Sequence, residues 1–152
     1  MEKEKVIKKT VKKAPKAKTT VSNVPVAHGV GRRKKAIARV WLRKGAGAVL
    51  INGREVDEYF NTVATRTDVA IPFNVVPAAK AQYDVHVNVS GGGQCAQAGA
   101  VRLGIARALV DSEQGLRATF KTYKLLTVDS RQKERKKYGQ KAARRKFQFV
   151  KR

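Results

Sequence analysis

The stretch that most limits what this chain can fold into is its last, Arg131 to Arg152. Eleven of its 22 side chains are basic (Arg131, Lys133, Arg135, Lys136, Lys137, Lys141, Arg144, Arg145, Lys146, Lys151 and Arg152), and a single acid, Glu134, opposes them. Its large planar or amphipathic groups are Tyr138, Phe147, Gln148 and Phe149. No apolar face with the period of a strand or a helix persists beyond Lys137, so the segment cannot bury enough surface to offset its own ordering entropy. Arg131 to Lys137 leaves room for one last strand. Beyond it the chain reads as an extended, self-repelling tail that a polyanion would have to neutralise. A folded body must therefore be built upstream of it.

Residues 26–130 carry the patterns of that body. From Ala36 to Arg43 the residues alternate: Ala36, Ala38, Val40 and Leu42 point one way, and Ile37, Arg39, Trp41 and Arg43 the other. The spacing predicts a strand with arginines beside an aromatic ring on its second face. Val49-Leu50-Ile51 predicts a short returning strand, and Asn52-Gly53 a tight turn after it. Arg54 to Phe60 sets Val56, Tyr59 and Phe60 at helical spacing, which predicts one or two turns of helix. Between Thr62 and Ala79 the pattern is mixed; Pro72 can open a short helix and Pro77 is expected to disrupt or end it.

Tyr83 to Val89 is the clearest strand, with Tyr83, Val85, Val87 and Val89 inward and Asp84, His86 and Asn88 outward. It runs through Ser90-Gly91-Gly92-Gly93-Gln94 into a long helix that reaches about Val110. On this helix Ala98, Val101, Ile105, Ala108 and Leu109 form one stripe, with Arg102 and Arg107 off it. Gly115 separates a second helix, on which Leu116, Phe120 and Tyr123 line up. The sum is a single compact α+β domain, a mixed β-sheet covered by helices. Residues 1–25, lysine-rich with Pro15 and Pro25, read as a basic disordered arm. That arm has no arginine and one serine, which argues against a transit peptide.

Charge narrows the function class. With 34 Lys and Arg against 11 Asp and Glu, the formal net charge is +23. A free soluble enzyme has little use for such self-repulsion, whereas a nucleic acid or an anionic membrane would neutralise it. No apolar run approaches the eighteen residues of a membrane span, so no membrane partner is expected. Cys95 has no second cysteine, and His28 and His86 show no ligand spacing, so neither disulfide, metal site nor cofactor is expected. Glu55, Asp57 and Glu58 read as a solvated helix face rather than paired general acids. No catalytic constellation and no small-molecule substrate emerge.

Gly91, Gly92 and Gly93 leave two readings open. A strand, a glycine run and a helix N-terminus gather backbone N–H groups and suit a phosphate. The same glycines also suit a tight connection that needs positive φ. The spacing matches neither a Walker loop nor a dinucleotide fingerprint. Three basic clusters complete the pattern: Arg32-Arg33-Lys34-Lys35, the arginines Arg39 and Arg43 beside Trp41, and the tail. Guanidinium forks bind phosphate and stack on bases, and aromatics cover unstacked bases in irregular RNA. Basic arms at both ends of a compact body suit a folded RNA with crevices.

Gly31-Arg32-Arg33-Lys34-Lys35-Ala36-Ile37-Ala38-Arg39-Val40, then Ile51-Asn52-Gly53 and Tyr59-Phe60, are followed by Val89-Ser90-Gly91-Gly92-Gly93, Gln97-Ala98 and Arg102 to Leu109. With the closing Glu134-Arg135-Lys136-Lys137 to Lys151-Arg152, this series resembles the bacterial-type family of ribosomal protein nine of the small subunit, over about Val26 to Arg152. The resemblance implies a left-handed β-α-β crossover and binding to 16S-type ribosomal RNA in the head of the small subunit, beside other head proteins. It implies a tail threaded through RNA toward the P site, with Lys151 and Arg152 against the tRNA and Arg144, Arg145 and Lys146 along the way. Expected RNA contacts also include Arg32, Arg33, Lys34, Lys35, Arg39, Arg43, Gly91, Gly92, Gly93, Arg131, Arg135, Lys136, Lys137, Tyr138, Lys141 and Phe147. Tyr138 and Phe147 stand where the family often has proline, and Val150 where it often has serine. The expected setting is the cytoplasmic ribosome. The alternatives are a free-standing architectural protein on DNA or mRNA and, more remotely, an enzyme using the glycine loop for a phosphorylated small molecule.

Overall fold

A computed structural model describes residues 24–151. The elements run β1 (Ala27–Arg33), β2 (Ala36–Lys44), β3 (Val49–Ile51), β4 (Arg54–Glu55), α1 (Val56–Tyr59), α2 (Val63–Val75), α3 (Pro77–Gln82), β5 (Tyr83–Ser90), α4 (Gln94–Ser112) and α5 (Leu116–Thr122). The strands lie in the order β1-β2-β5-β3-β4. Among the described residues only β3 and β5 pair in parallel, and the chain between them, β4 with three helices, makes a β-α-β crossover. The α+β domain with a mixed sheet is the architecture the patterns predicted. The basic arm read over residues 1–25 lies outside the described residues except for Val24 and Pro25.

Alternation decides which face of the sheet is covered. Ala36, Ala38, Val40 and Leu42 are buried opposite Val85, Val87 and Val89, and Ile51 joins them through Val87. The buried stripe of α4 lies over this face, with α2 packed beside it. On the opposite face His28, Arg32, Ile37, Arg39, Asn88 and Ser90 are exposed.

β1 shows no apolar alternation because its inward positions are occupied by Gly29 and Gly31 rather than by large side chains. Both glycines bring the strand into backbone contact with α4. A methyl group on Gly31 would overlap the Ala100 carbonyl oxygen and stand 2.6 Å from the Gly104 nitrogen; one on Gly29 would stand 2.6 Å from the Ala108 nitrogen. Small residues on both partners are what permit this approach. Arg107 Nη1 then donates to the Val30 carbonyl at 2.8 Å, tying strand to helix once more.

Asn52 extends the β3–β5 ladder with its side chain. Its Oδ1 accepts from the Val89 N–H at 2.9 Å and its Nδ2 donates to the Val89 carbonyl at 3.0 Å, as a further strand residue would. Asn52 and Gly53 have φ of 50° and 82°, the two left-handed residues that a two-residue hairpin loop favours. From there a chain of polar contacts runs on. Asn52 Nδ2 reaches Tyr59 Oη at 3.4 Å, Tyr59 donates to Gln97 Oε1 at 3.0 Å, and Gln97 Nε2 donates to the Gly91 carbonyl at 3.2 Å.

Three local expectations are corrected. Pro72 does not open a helix; it lies inside α2, buried with Val69 and Phe73. Packing against α4 offsets the hydrogen bond that the proline ring removes. Pro77 ends α2 as expected, since the helix stops at Val75 with Val76 out of helical conformation, and the proline then opens α3 at its first turn, where its missing N–H costs nothing. Arg54 and Glu55 pair as a strand, so the helical turn begins only at Val56. On α5, Phe120 is buried as expected whereas Tyr123 is largely exposed just past its end.

Replacing Gly31 with alanine should overpack the β1–α4 contact and destabilise the domain by about 1–3 kcal/mol or more, read as a lower urea midpoint. Asn52→Ala should cost about 1–3 kcal/mol by leaving the Val89 amide without its partner; hydrogen exchange at that amide should accelerate.

Candidate nucleic-acid interface

The first basic cluster sits on a hairpin tip. Lys34 and Lys35 form the two-residue loop between β1 and β2, with Arg33 paired to Ala36 across it. Lys34 takes φ 53°, a left-handed conformation that costs a non-glycine residue roughly 1–2 kcal/mol. Both lysines and Arg32 are exposed.

The glycine loop lies directly against this tip. Gly91 and Gly92 have φ of 70° and 69°, and a methyl group on Gly91 would come within 2.5 Å of the Lys35 carbonyl oxygen. Positive φ and close approach therefore explain those two glycines. Gly93 differs: its φ is −103°, it stands next to open space, and its carbonyl accepts the N–H groups of Ala96 and Gln97, the third and fourth residues of α4. Two clusters some sixty residues apart in sequence thus share one end of the sheet, with the start of a helix between them.

Arg33 faces another way. Its side chain lies across α4 at Gly99, where a methyl group would be 2.7 Å from Nη1, and that nitrogen donates to the Cys95 carbonyl at 3.4 Å. Its Nη2 stands 3.4 Å from Asp129 Oδ2. Arg131 grips the same carboxylate through Nε at 2.9 Å and Nη2 at 2.8 Å, and its backbone N–H adds a bond of 3.1 Å. Arg131, with Arg33 adding a weaker charge, holds the Asp129 carboxyl well below the usual carboxylate range. Asp129 raises the Arg131 guanidinium in return. Asp129 was not among the sequence candidates; an acid isolated among cations before the tail was its one signal.

The turn leading there is also well defined. Lys124 takes φ 54°, its N–H donates to the Lys121 carbonyl, and the Leu125 N–H donates to the Phe120 carbonyl. This is the Schellman pattern, with lysine in the position that glycine usually fills, and buried Leu125 joins Phe120 in the core. The tail root is thereby fixed between the core and Arg33.

No strand forms over Arg131 to Lys137, contrary to expectation; the sheet ends at β1 and β4 and nothing there offers a ladder partner among the described residues. Nor is the tail fully extended. Glu134 accepts from Arg144 Nε at 2.9 Å, the Lys141 N–H donates to the Arg145 carbonyl at 2.8 Å, and Lys141 Nζ lies 5.7 Å from the Phe147 ring centre. The single acid closes a loop that charge repulsion alone would open. Arg135, Lys136, Lys137, Arg145, Lys146 and Lys151 are exposed, and so are Tyr138 and Phe147.

The third cluster lies on the helix-free face of the sheet. Arg39 stands opposite Asn88 and Val30, Trp41 opposite His86 and His28, and Arg43 opposite Asp84. The carboxylate of Asp84 is occupied by the N–H groups of Gly47 and Ala48, each 2.9 Å away. Among the described residues, Arg32, Lys34, Lys35, Arg39 and Arg43 make no ion pair, whereas Asp57, Asp68, Asp129 and Glu134 each take an arginine elsewhere. The described residues hold no metal-ligand cluster and no helix long and apolar enough to cross a membrane.

Residues 31–152 match the family model described as ribosomal protein S9/S16. The chain is 53% identical to small ribosomal subunit protein uS9 of Phytoplasma australiense over 124 residues, which covers 82% of this chain and 95% of that relative. Residues 31–152, which the family model spans, include the parts that build the shared end of the sheet: the basic hairpin, the Asn52 turn, Tyr59, the glycine loop and the tail root. On both counts the chain belongs to the ribosomal protein S9/S16 family.

Proposed function

We propose that this protein is a structural, non-enzymatic constituent of the small ribosomal subunit, working in translation in the cytoplasmic ribosome. Its body binds 16S-type ribosomal RNA in the subunit head next to other head proteins, and its tail reaches the tRNA in the P site through Lys151 and Arg152. One observation carries this reading. The basic hairpin tip, the arginines of the sheet's open face and the open start of α4 keep their charge unpaired with protein carboxylates among the described residues, while Asp57, Asp68, Asp129 and Glu134 pair with other arginines. Cations left in this state are suited to phosphates.

Each group then has a distinct task. Arg32, Lys34, Lys35 and Gly93 meet the RNA backbone at one end of the sheet. Arg39 and Arg43 meet it across the open face, with Gly91 and Gly92 shaping the loop alongside. Arg33 acts chiefly by positioning, because it ties the tail root to α4. Arg131, Arg135, Lys136, Lys137, Lys141, Arg144, Arg145 and Lys146 line the path of the tail, and Tyr138 and Phe147 offer rings to unstacked bases.

Removing Lys151 and Arg152 should leave incorporation into small subunits intact and weaken P-site tRNA binding; unchanged tRNA affinity in a filter-binding assay would sink the proposed role of the tail. RNA affinity of the isolated protein should fall steeply with salt. Arg39→Ala should make the log–log slope shallower by about 0.7 if that residue neutralises one phosphate of a single strand, and an unchanged slope would remove it from the interface.

A further inference from the structure

Building on the proposed RNA interface, we infer that the helix-free face of the sheet carries a stacking site for an unpaired nucleobase, with Trp41 as its floor and His28 and His86 at its sides. Sheet register sets His28, Trp41, His86 and Leu50 in one row across β1, β2, β5 and β3. The His28 and Trp41 rings lie 5.4 Å apart at an interplanar angle of 43°. This row sets an indole, two imidazoles and a leucine side by side, and no helix among the described residues covers it.

The rows on either side say what covers it. Arg39, with Asn88 opposite, stands two residues along β2 from Trp41, and Arg43 stands two residues along the other way. Residues so spaced on a strand share a face and lie about 6.6 Å apart. The acid of this neighbourhood, Asp84, is turned to backbone N–H groups and does not neutralise them. An apolar protein partner would have to desolvate both guanidinium groups without compensation. A strand of RNA brings flat π-faces and phosphates together, which suits a row of rings flanked by guanidinium groups.

The surface relief fits as well. A hollow of about 410 Å³ is bordered by Trp41, Leu50, His86 and Asn88, with Asn52 and Gly53 at its rim. A second hollow of about 300 Å³ lies between Ile37, Arg39, Asn88 and Ser90. Asn88 borders both, so a base seated in the first has its phosphate beside Arg39 in the second, and the Asn88 amide can reach the base edge or the sugar. Rings that contact bases this way tolerate any sequence, because every base has a π-face.

Trp41 is the one tryptophan in the chain, which makes the site self-reporting. The test titrates the full-length protein with oligoadenylate, with an abasic ribose-phosphate oligomer of the same length, and with polyglutamate, while following tryptophan emission. Oligoadenylate should quench Trp41, whereas the abasic oligomer and polyglutamate should bind without quenching it. Trp41→Ala should weaken oligoadenylate binding by about 5- to 150-fold and leave abasic binding unchanged, with Trp41→Phe retaining most of the affinity. An unaltered thermal unfolding midpoint for both variants separates a lost ring from a lost fold. Equal quenching by all three polymers, or equal affinity of wild type and Trp41→Ala for oligoadenylate, would overturn the stacking site and leave RNA binding by charge standing. Failure of both oligomers to bind at all would overturn the RNA interface itself.

Discussion

The structure depends first on a contact between two backbones. β1 lies on α4 with almost nothing between them, because Gly29 and Gly31 on the strand meet Ala100, Gly104 and Ala108 on the helix. Such contact forgoes the burial of large side chains at the edge of the sheet. What it supplies is geometric: α4 is held flat across β1 and β2, its N-terminus falls at the hairpin end, and all helical cover stays on one face. The bare opposite face, the basic tip and the glycine loop owe their relative positions to that arrangement.

A second economy governs charge. The chain has few acids, and three of those in the body fix geometry. Asp68 holds Arg102 of α4 at 3.1 Å, Asp84 closes the turn after β2, and Asp129 gathers Arg33 and Arg131. The arginines thus divide into those that hold the fold and those that look outward. Arg33 shows how the division can run between neighbours in sequence, since Arg32 beside it is exposed on the other face of the same strand.

Elements with a regular apolar period could be read directly from the sequence. The alternation in β2 and β5 and the stripe on α4 named their buried residues because side-chain burial follows strand and helix period. β1 was invisible for the opposite reason: its buried face is glycine, and glycine carries no hydropathy. Pro72 misled because a local rule about proline was overridden by packing on α4. The tail root was hidden by two features without local signature, a left-handed lysine at position 124 and an ion pair between Arg33 and Asp129. Of the candidate site, the basic clusters and the glycine loop could be recognised from residue type. Their convergence at one end of the sheet depended on pairing between distant strands, which no local pattern encodes.

The anchoring of Asp129 has a mechanical consequence. Arg131 and Arg33 both hold the Asp129 carboxylate, and Leu125 is buried just before it, so the chain leaves the body at a defined point beside α4. Beyond Arg131, 21 residues follow, a contour of about 70 Å when drawn straight. That reach is more than twice the length of α4, about 28 Å for its 19 residues, so the small domain sets where a much longer span begins.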